Sequence, residues 1–322
     1  MTSVRALLRV ALVGAGSMGA LHARVVTQSE RAALACVIDP DAVVGAALAE
    51  RYGSSWRPEV GSLDDVDAVV VAAPTDAHHD LGRHVLDHGL PLLMEKPLAQ
   101  QLSDAEDLVR RSAQTDVPLL VGLLERFNPA IMTALEVVHR PRHVTAVRHS
   151  PYVARIRTGV ASDLLIHDVD TVLRLAGTDP TVVRGSFGYL HPDSPPGSED
   201  VADAALGFAD GMLATLSASR MSQRKIRSFT IAELDRLVEV DMLRNAVTVY
   251  RNVANEAGDD GLSYRQQAIV EIPQLVSARE PLAAQLDHFL DLVTGAADPG
   301  EERATILPAH AVVDRIRSNA GG

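Results

Sequence analysis

V-A-L-V-G-A-G-S-M-G, running from Val10 to Gly19, is the stretch whose reading decides the fold. Its first four residues are apolar, and Gly14, Gly16 and Gly19 stand in G-x-G-x-x-G spacing. A helix-compatible run follows from Ala20 to Thr27, then a second apolar run from Leu34 to Ile38, then Asp39. The glycines alone are a weak signal. Strand, glycines, helix, strand and acid in that order are a much stronger one. Gly14 lets the chain turn tightly out of the strand, Gly16 lets backbone amides approach a pyrophosphate, and Gly19 lets the helix lie close to the strand. With Ser17 and Met18, the start of the helix offers unpaired N–H groups and a partial positive charge to phosphates. Asp39 would accept hydrogen bonds from an adenine ribose diol and repel a 2′-phosphate, and the following Pro40, Asp41 and Ala42 supply no cation. The stretch implies a dinucleotide site with NAD favoured over NADP.

The 322 residues are enough for two domains with sizeable cores. Hydrophobic residues make up 47% and aromatic residues 3%, so the cores are built mostly of Ala, Val and Leu. A net charge of −12 argues against nucleic acid or an anionic membrane as partner, and an anionic substrate would need local arginines. The single cysteine, Cys36, excludes an intramolecular disulfide and a multi-cysteine zinc site. Ala6 to Val13 is interrupted by Arg9 and runs straight into the glycine turn, so it reads as a first strand rather than a leader. No apolar stretch approaches membrane-spanning length, and a cytoplasmic protein is expected.

Beyond Asp39, Pro40 to Arg51 reads as a helix with proline in its first turn. Asp67 to Ala73 reads as a strand buried on both faces and Asp76 to His88 as a helix. Pro91 to Met94 is a short strand, Ser103 to Gln114 a helix capped by Ser103, and Pro118 to Val121 a closing strand. This alternation predicts a doubly wound parallel sheet over residues 1–122. The pattern changes near residue 123. Helices are expected over Asn128 to His139 and Ala161 to Leu175. A series of strands with short turns follows: Val182 to Tyr189, Ala202 to Phe208, Met212 to Ser219, Ser228 to Ala232, Arg236 to Asp241 and Val247 to Arg251. Loops are expected at His191 to Asp200 and Asn255 to Gly261, and two last helices at Leu282 to Thr294 and Pro308 to Ser318. Residues 123–322 therefore predict an α+β domain on a largely antiparallel sheet.

Chemistry can sit at three places. Glu95-Lys96-Pro97 follows the last but one strand of the first domain, where ligands bind outside the carboxyl ends of an open α/β sheet. Lys96 would bring an ammonium there, with Pro97 stiffening the backbone beside it. The alternative is a solvated surface lysine. Asp163 and His167 share a helix face at i,i+4 among Leu164, Leu165, Ile166 and Val169, a pairing suited to general base work or to a structurally capped histidine. His84 and His88 also have i,i+4 spacing, but no cysteine stands near and one face of their helix is solvated, so no metal is expected.

Four stretches together resemble the Gfo/Idh/MocA oxidoreductases: V-G-A-G-S-M-G-A-L-H from Val13 to His22, A-P-T-D-A-H from Ala73 to His78, E-K-P, and D-L-L-I-H-D-V-D from Asp163 to Asp170. The resemblance implies a Rossmann domain followed by a domain with an open sheet that mediates homo-oligomerisation, as a dimer or tetramer. It implies NAD(P)-dependent oxidation of a sugar or polyol, with Lys96, Asp163 and His167 catalytic. Ala73, Pro74, Thr75, His78 and Glu95 would border the cofactor. Alanine at 73, where threonine is usual, is a departure. E-R-F-N-P, from Glu125 to Pro129, resembles members that oxidise UDP-N-acetylglucosamine at its 3-hydroxyl. That likeness would place Arg126 and Asn128 on the substrate, with Arg155 and Arg157 as further cations for its diphosphate. The rivals are an inositol or simple-sugar dehydrogenase, a non-redox enzyme working through transient oxidation, and an NAD-binding paralogue without turnover.

Overall fold

The computed structural model describes residues 7–154, 156–257 and 264–319. Two units divide the chain: residues 1–124 with 280–310, and residues 125–279 with 311–322.

In the first unit, β1 (Leu8–Val13), β2 (Ala32–Ile38), β3 (Ser55–Arg57), β4 (Ala68–Val71), β5 (Leu92–Met94) and β6 (Leu119–Val121) form one sheet in the order β3-β2-β1-β4-β5-β6. Every neighbouring pair is parallel. The strand order reverses between β1 and β4, the position at which open α/β sheets bind ligands. The connecting helices are α1 (Ser17–Gln28), α2 (Ala42–Arg51), α3 (His78–Asp87) and α4 (Leu102–Thr115). Two starts differ from expectation. Asp41 caps α2, its carboxylate accepting the Val43 and Val44 amides, so Pro40 lies ahead of the helix rather than in its first turn. The cap of α4 falls on Gln101, whose extended backbone begins the helix two residues before Ser103.

Elements over 129–257 build the second unit: α5 (Pro129–Val137), β7 (His143–His149), α6 (Ile166–Ala176), β8 (Val182–Gly188), β9 (Val201–Gly207), β10 (Leu213–Ser219), β11 (Ile226–Ala232), β12 (Leu237–Asp241) and β13 (Ala246–Ala257). With β14 (Tyr264–Glu271) they give an eight-stranded sheet in the order β14-β13-β12-β11-β7-β10-β9-β8. It is antiparallel except for the β7–β10 pair. Burial alternates along β7, β9 and β10, so one face is packed and the other lies open. The loop expected from Asn255 is instead strand as far as Ala257, and residues 258–261 lie outside the described residues.

The last helices are α7 (Pro281–Val293), α8 (Pro299–Ala304) and α9 (Leu307–Asn319). Here the contiguous division at residue 122 does not hold. Leu282, Leu286, Phe289 and Leu290 of α7 bury in the core formed by β1, β2 and α1, so the chain returns to the first unit. Among the described residues no helix is long and apolar enough to cross a membrane.

Candidate active site

β1, β2, β4 and β5 end at Val13, Ile38, Val71 and Met94. Their ladder continues one step beyond: Gly14 donates to Ile38 O (2.8 Å), Ala72 to Val13 O (2.8 Å), Glu95 to Val71 O (2.9 Å) and Gly122 to Met94 O (2.7 Å). The residues expected to border a cofactor therefore line one edge of the sheet. Gly14 has φ +98°, and a Cβ there would lie 2.6 Å from Ala72 O. A Cβ on Gly19 would lie 1.9 Å from Gly14 O, so only glycine lets α1 start this close to the turn. Gly16 has open space in front of it. It is also the α1 N-cap with no side-chain hydrogen bond, leaving the first amides of a twelve-residue helix available to an anion. Ser17 is exposed and Met18 half-buried at that end. These features fit a dinucleotide pyrophosphate.

Asp39 Oδ2 accepts the Ala15 amide at 2.7 Å and Oδ1 the Asp41 amide at 2.9 Å. The carboxylate is thus held against the glycine turn. Trp56, on a strand too short to be read from sequence, supports it by donating from Nε1 to Asp39 O (3.0 Å) while packing on Gly45. The nearby cation on β3, Arg57, is engaged by Asp65 at 2.6 Å, and that carboxylate raises its pKa. NAD should therefore be used over NADP by about tenfold or more in kcat/KM, because two facing anions cost on the order of several kcal/mol. Comparable values for the two dinucleotides would overturn the role given to Asp39.

Pro74 precedes a single 3₁₀ turn, Thr75–Ala77, and α3 then buries His78. The ring nitrogens of His78 lie 2.9 Å from Ala73 O and 2.8 Å from Pro97 O, tying the A-P-T segment to E-K-P. Burial pushes the His78 pKa down against these two carbonyls. Lys96 is half-buried and its bond to Pro97 is cis. The rings of His84 and His88 lie 4.4 Å apart at a tilt of 38°, and His79 meets Asp107 at 3.1 Å.

In the second unit, a π turn over Ala161–Leu165 leads into α6, with the Ile166 amide donating to Ala161 O. The expected helix begins with this widened turn, a feature frequent at functional sites. Buried Glu199 organises it. Its Oε1 accepts the Ala161 amide at 2.9 Å, its carbonyl accepts the Val160 amide at 3.1 Å, and its carboxylate fills the space a Cβ on Gly159 would take. Asp163 lies in the π turn, and His167, 9% exposed, in the first turn of α6.

Three arginines grip this helix by its acids. Arg220 donates to Asp163 Oδ2 at 2.7 Å. Arg126 forks onto Asp170 with contacts of 2.9 and 2.6 Å. Arg148, 2% exposed on β7, donates to Asp168 at 2.7–3.1 Å and to Glu125 at 2.7 Å. Burial alone would lower the Arg148 pKa, but the two carboxylates reverse this and raise it. Burial would likewise raise Glu125, and Arg148 instead brings its carboxyl below the ordinary range.

Arg126 and Asn128, both expected near the substrate, have partners within the second unit. Arg126 is committed to Asp170, and buried Asn128 to the N-terminus of α5, where Oδ1 accepts the Ala130 amide and Nδ2 donates to Glu125. Through Glu125, Arg126 and Asn128, E-R-F-N-P makes contacts that join α5, β7 and α6. Arg157 is exposed, and Arg155 lies outside the described residues.

Sequence reading missed His22, Trp56, Arg148, Glu199 and Arg220 as supporting groups. Only His22 left a trace, as a polar residue within the buried stripe Gly19, His22, Ala23 and Val26 of α1.

The glycine turn, the open start of α1 and Asp39 at the end of β2 define a dinucleotide-binding Rossmann domain, and the chain is an NAD(P)-dependent oxidoreductase of CH–OH groups. The comparisons agree. Residues 8–123 match the oxidoreductase family with an NAD-binding Rossmann fold, and residues 137–232 match the Gfo/Idh/MocA C-terminal domain. The UDP-N-acetylglucosamine 3-dehydrogenase of Acidithiobacillus ferrooxidans is 29% identical, covering 89% of this chain and 88% of that protein. A solved structure of that enzyme superposes with a TM-score of 0.83 at 27% identity, covering 98% of this chain and 99% of the other. A myo-inositol dehydrogenase of Streptomyces leeuwenhoekii is 32% identical, covering 66% of this chain and 70% of that protein. The chain belongs to the Gfo/Idh/MocA family of oxidoreductases.

Proposed function

We propose that this protein oxidises the 3-hydroxyl of UDP-N-acetylglucosamine with NAD, or carries out the reverse reduction. The observation that carries this reading is the span of the likeness. It runs across nearly the whole chain for the UDP-N-acetylglucosamine enzyme, and across about two thirds for the inositol enzymes. NAD, when bound, supplies the hydride-accepting nicotinamide carbon. His167 takes the hydroxyl proton as general base, and Asp163 supports the charged ring. Lys96 donates a hydrogen bond to the reacting oxygen and stabilises its developing negative charge. Gly14, Gly16, Ser17, Met18 and Gly19 hold the pyrophosphate, and Asp39 holds the adenine ribose.

A net charge of −12 gives no bulk attraction for a diphosphate, so a local cation is required, and exposed Arg157 is the one assigned. The test is NADH formation with UDP-N-acetylglucosamine, UDP-glucose, N-acetylglucosamine and myo-inositol. The nucleotide sugar should give the highest kcat/KM, and Arg157→Ala should raise its KM without changing that for NAD. Faster turnover of myo-inositol would reject the nucleotide-sugar assignment and leave the dehydrogenase standing. Light scattering on the same sample would show the dimer or tetramer expected of it.

A further inference from the structure

His22 lies three residues beyond Gly19 on the buried face of α1 and is 1% exposed. Its Nε2 is 2.8 Å from Glu95 Oε1, and Glu95 is itself 7% exposed. The other carboxylate oxygen accepts the backbone amide of Lys96 at 3.3 Å. Gly122, at the end of β6, makes room for this carboxylate, since a Cβ there would stand 2.8 Å from Oε2. The second ring nitrogen of His22, Nδ1, is buried without a hydrogen-bond partner among the described residues.

Packing does not account for such a pair. A buried carboxylate and a half-satisfied imidazole cost more than apolar side chains of the same volume. The carboxylate nevertheless stays ionised. Burial would raise its pKa, and the hydrogen bond and charge of His22, together with the charge of Lys96, bring it down instead. A fixed negative charge therefore sits directly behind Lys96, anchored to the helix that starts at the glycine turn. On the other side of the lysine, His78 holds the Pro97 carbonyl.

We infer that His22 and Glu95 form a positioning couple for Lys96: His22 fixes the carboxylate, and the carboxylate fixes the Lys96 backbone and the aim of its ammonium. The couple ties the helix that receives the dinucleotide to the group that polarises the substrate oxygen. This inference rests on the assignment of Lys96 to that oxygen. Neither His22 nor Glu95 touches the reacting atoms in this scheme; both act through the lysine.

The composition of the chain makes this directly testable. Of its 30 basic residues only two are lysines, Lys96 and the exposed Lys225. Incorporation of [ε-¹³C]lysine therefore gives two Cε–Hε cross-peaks, assigned by Lys225→Arg. In His22→Leu the Lys96 cross-peak should move and sharpen while that of Lys225 stays, and His22→Gln, which keeps an N–H for Glu95, should restore the wild-type position. An unmoved Lys96 peak in folded His22→Leu would overturn the inference, and this measurement needs no substrate. With NAD and UDP-N-acetylglucosamine, His22→Leu should lower kcat by about 10–100-fold, as loss of an outer partner of a functional group does. Placed on Lys96→Met, the same substitution should cost nothing more, because its effect passes through the lysine. Additive losses would refute the coupling. Full activity of Lys96→Met alone would instead reject the role of Lys96 in the proposed function, while the cross-peak would still report whether His22 positions it.

Discussion

His167→Asn should lower kcat by about 10²–10⁴-fold while NAD still binds, the range general base catalysis contributes. The ring sits in the first turn of α6, behind a π turn stabilised by Glu199, on a helix whose acids are held by Arg220, Arg148 and Arg126. A helix held at three carboxylates does not rotate its histidine freely, so the loss comes from proton transfer rather than from disorder. Asparagine keeps the approximate size and polarity of imidazole and cannot act as a base near neutral pH. Lys96→Met should fall similarly in kcat, because the hydrogen bond proposed from Lys96 to the developing alkoxide would be lost. Isothermal titration with NAD separates the two steps. A His167→Asn protein that folds, binds NAD and turns over near the wild-type rate would remove histidine from the mechanism.

The second large effect concerns stability. Arg148→Leu should destabilise the fold by about 3–5 kcal/mol, because it leaves Asp168 and Glu125 as buried carboxylates without their cation. Asp168 is fully buried and Glu125 nearly so. The effect has a definite pH dependence. In the wild type, Glu125 has a depressed pKa, so its contribution is present above the unfolded carboxylate pKa and fades as the pH falls through the folded value. In the wild type burial already raises the Asp168 pKa against the pull of Arg148; in Arg148→Leu that pull is gone, so Asp168 rises further and Glu125 loses its depression. The stability of the variant is then lost as pH rises. The gap between the two proteins should accordingly be widest near neutral pH and narrow towards pH 4. Urea titrations at several pH values measure it, and a gap that does not change with pH would show that Arg148 contributes by packing alone.

The cofactor half was legible because its signals are local. Glycines at fixed offsets, an apolar strand on either side and an acid at the end of the second strand each reflect a backbone requirement met within about thirty residues, and the positive φ of Gly14 and the tight approach at Gly19 are those requirements made visible. The second unit was less legible. H-V-T-A-V-R-H alternates along β7, yet its inward Arg148 reads as solvent-facing until Glu125 and Asp168, about twenty residues away on either side, are known to meet it. Arg126 and Asn128 carry side chains that suit a phosphate or a sugar hydroxyl, and nothing local distinguishes that use from the ion pair and cap they form.

By itself the sequence determined the doubly wound sheet, its nucleotide turn, the antiparallel second sheet and the E-K-P and D-x-x-x-H positions, all of which depend on periodicity or on residues close in the chain. Only the tertiary structure decided that α7 returns to the first core, that Arg126 meets Asp170, and that His22 stands behind Lys96 through Glu95. Each of these depends on which side chains satisfy a buried charge or an apolar face across a long separation in sequence. Such partners are chosen by the free energy of burial in three dimensions, which no local pattern records.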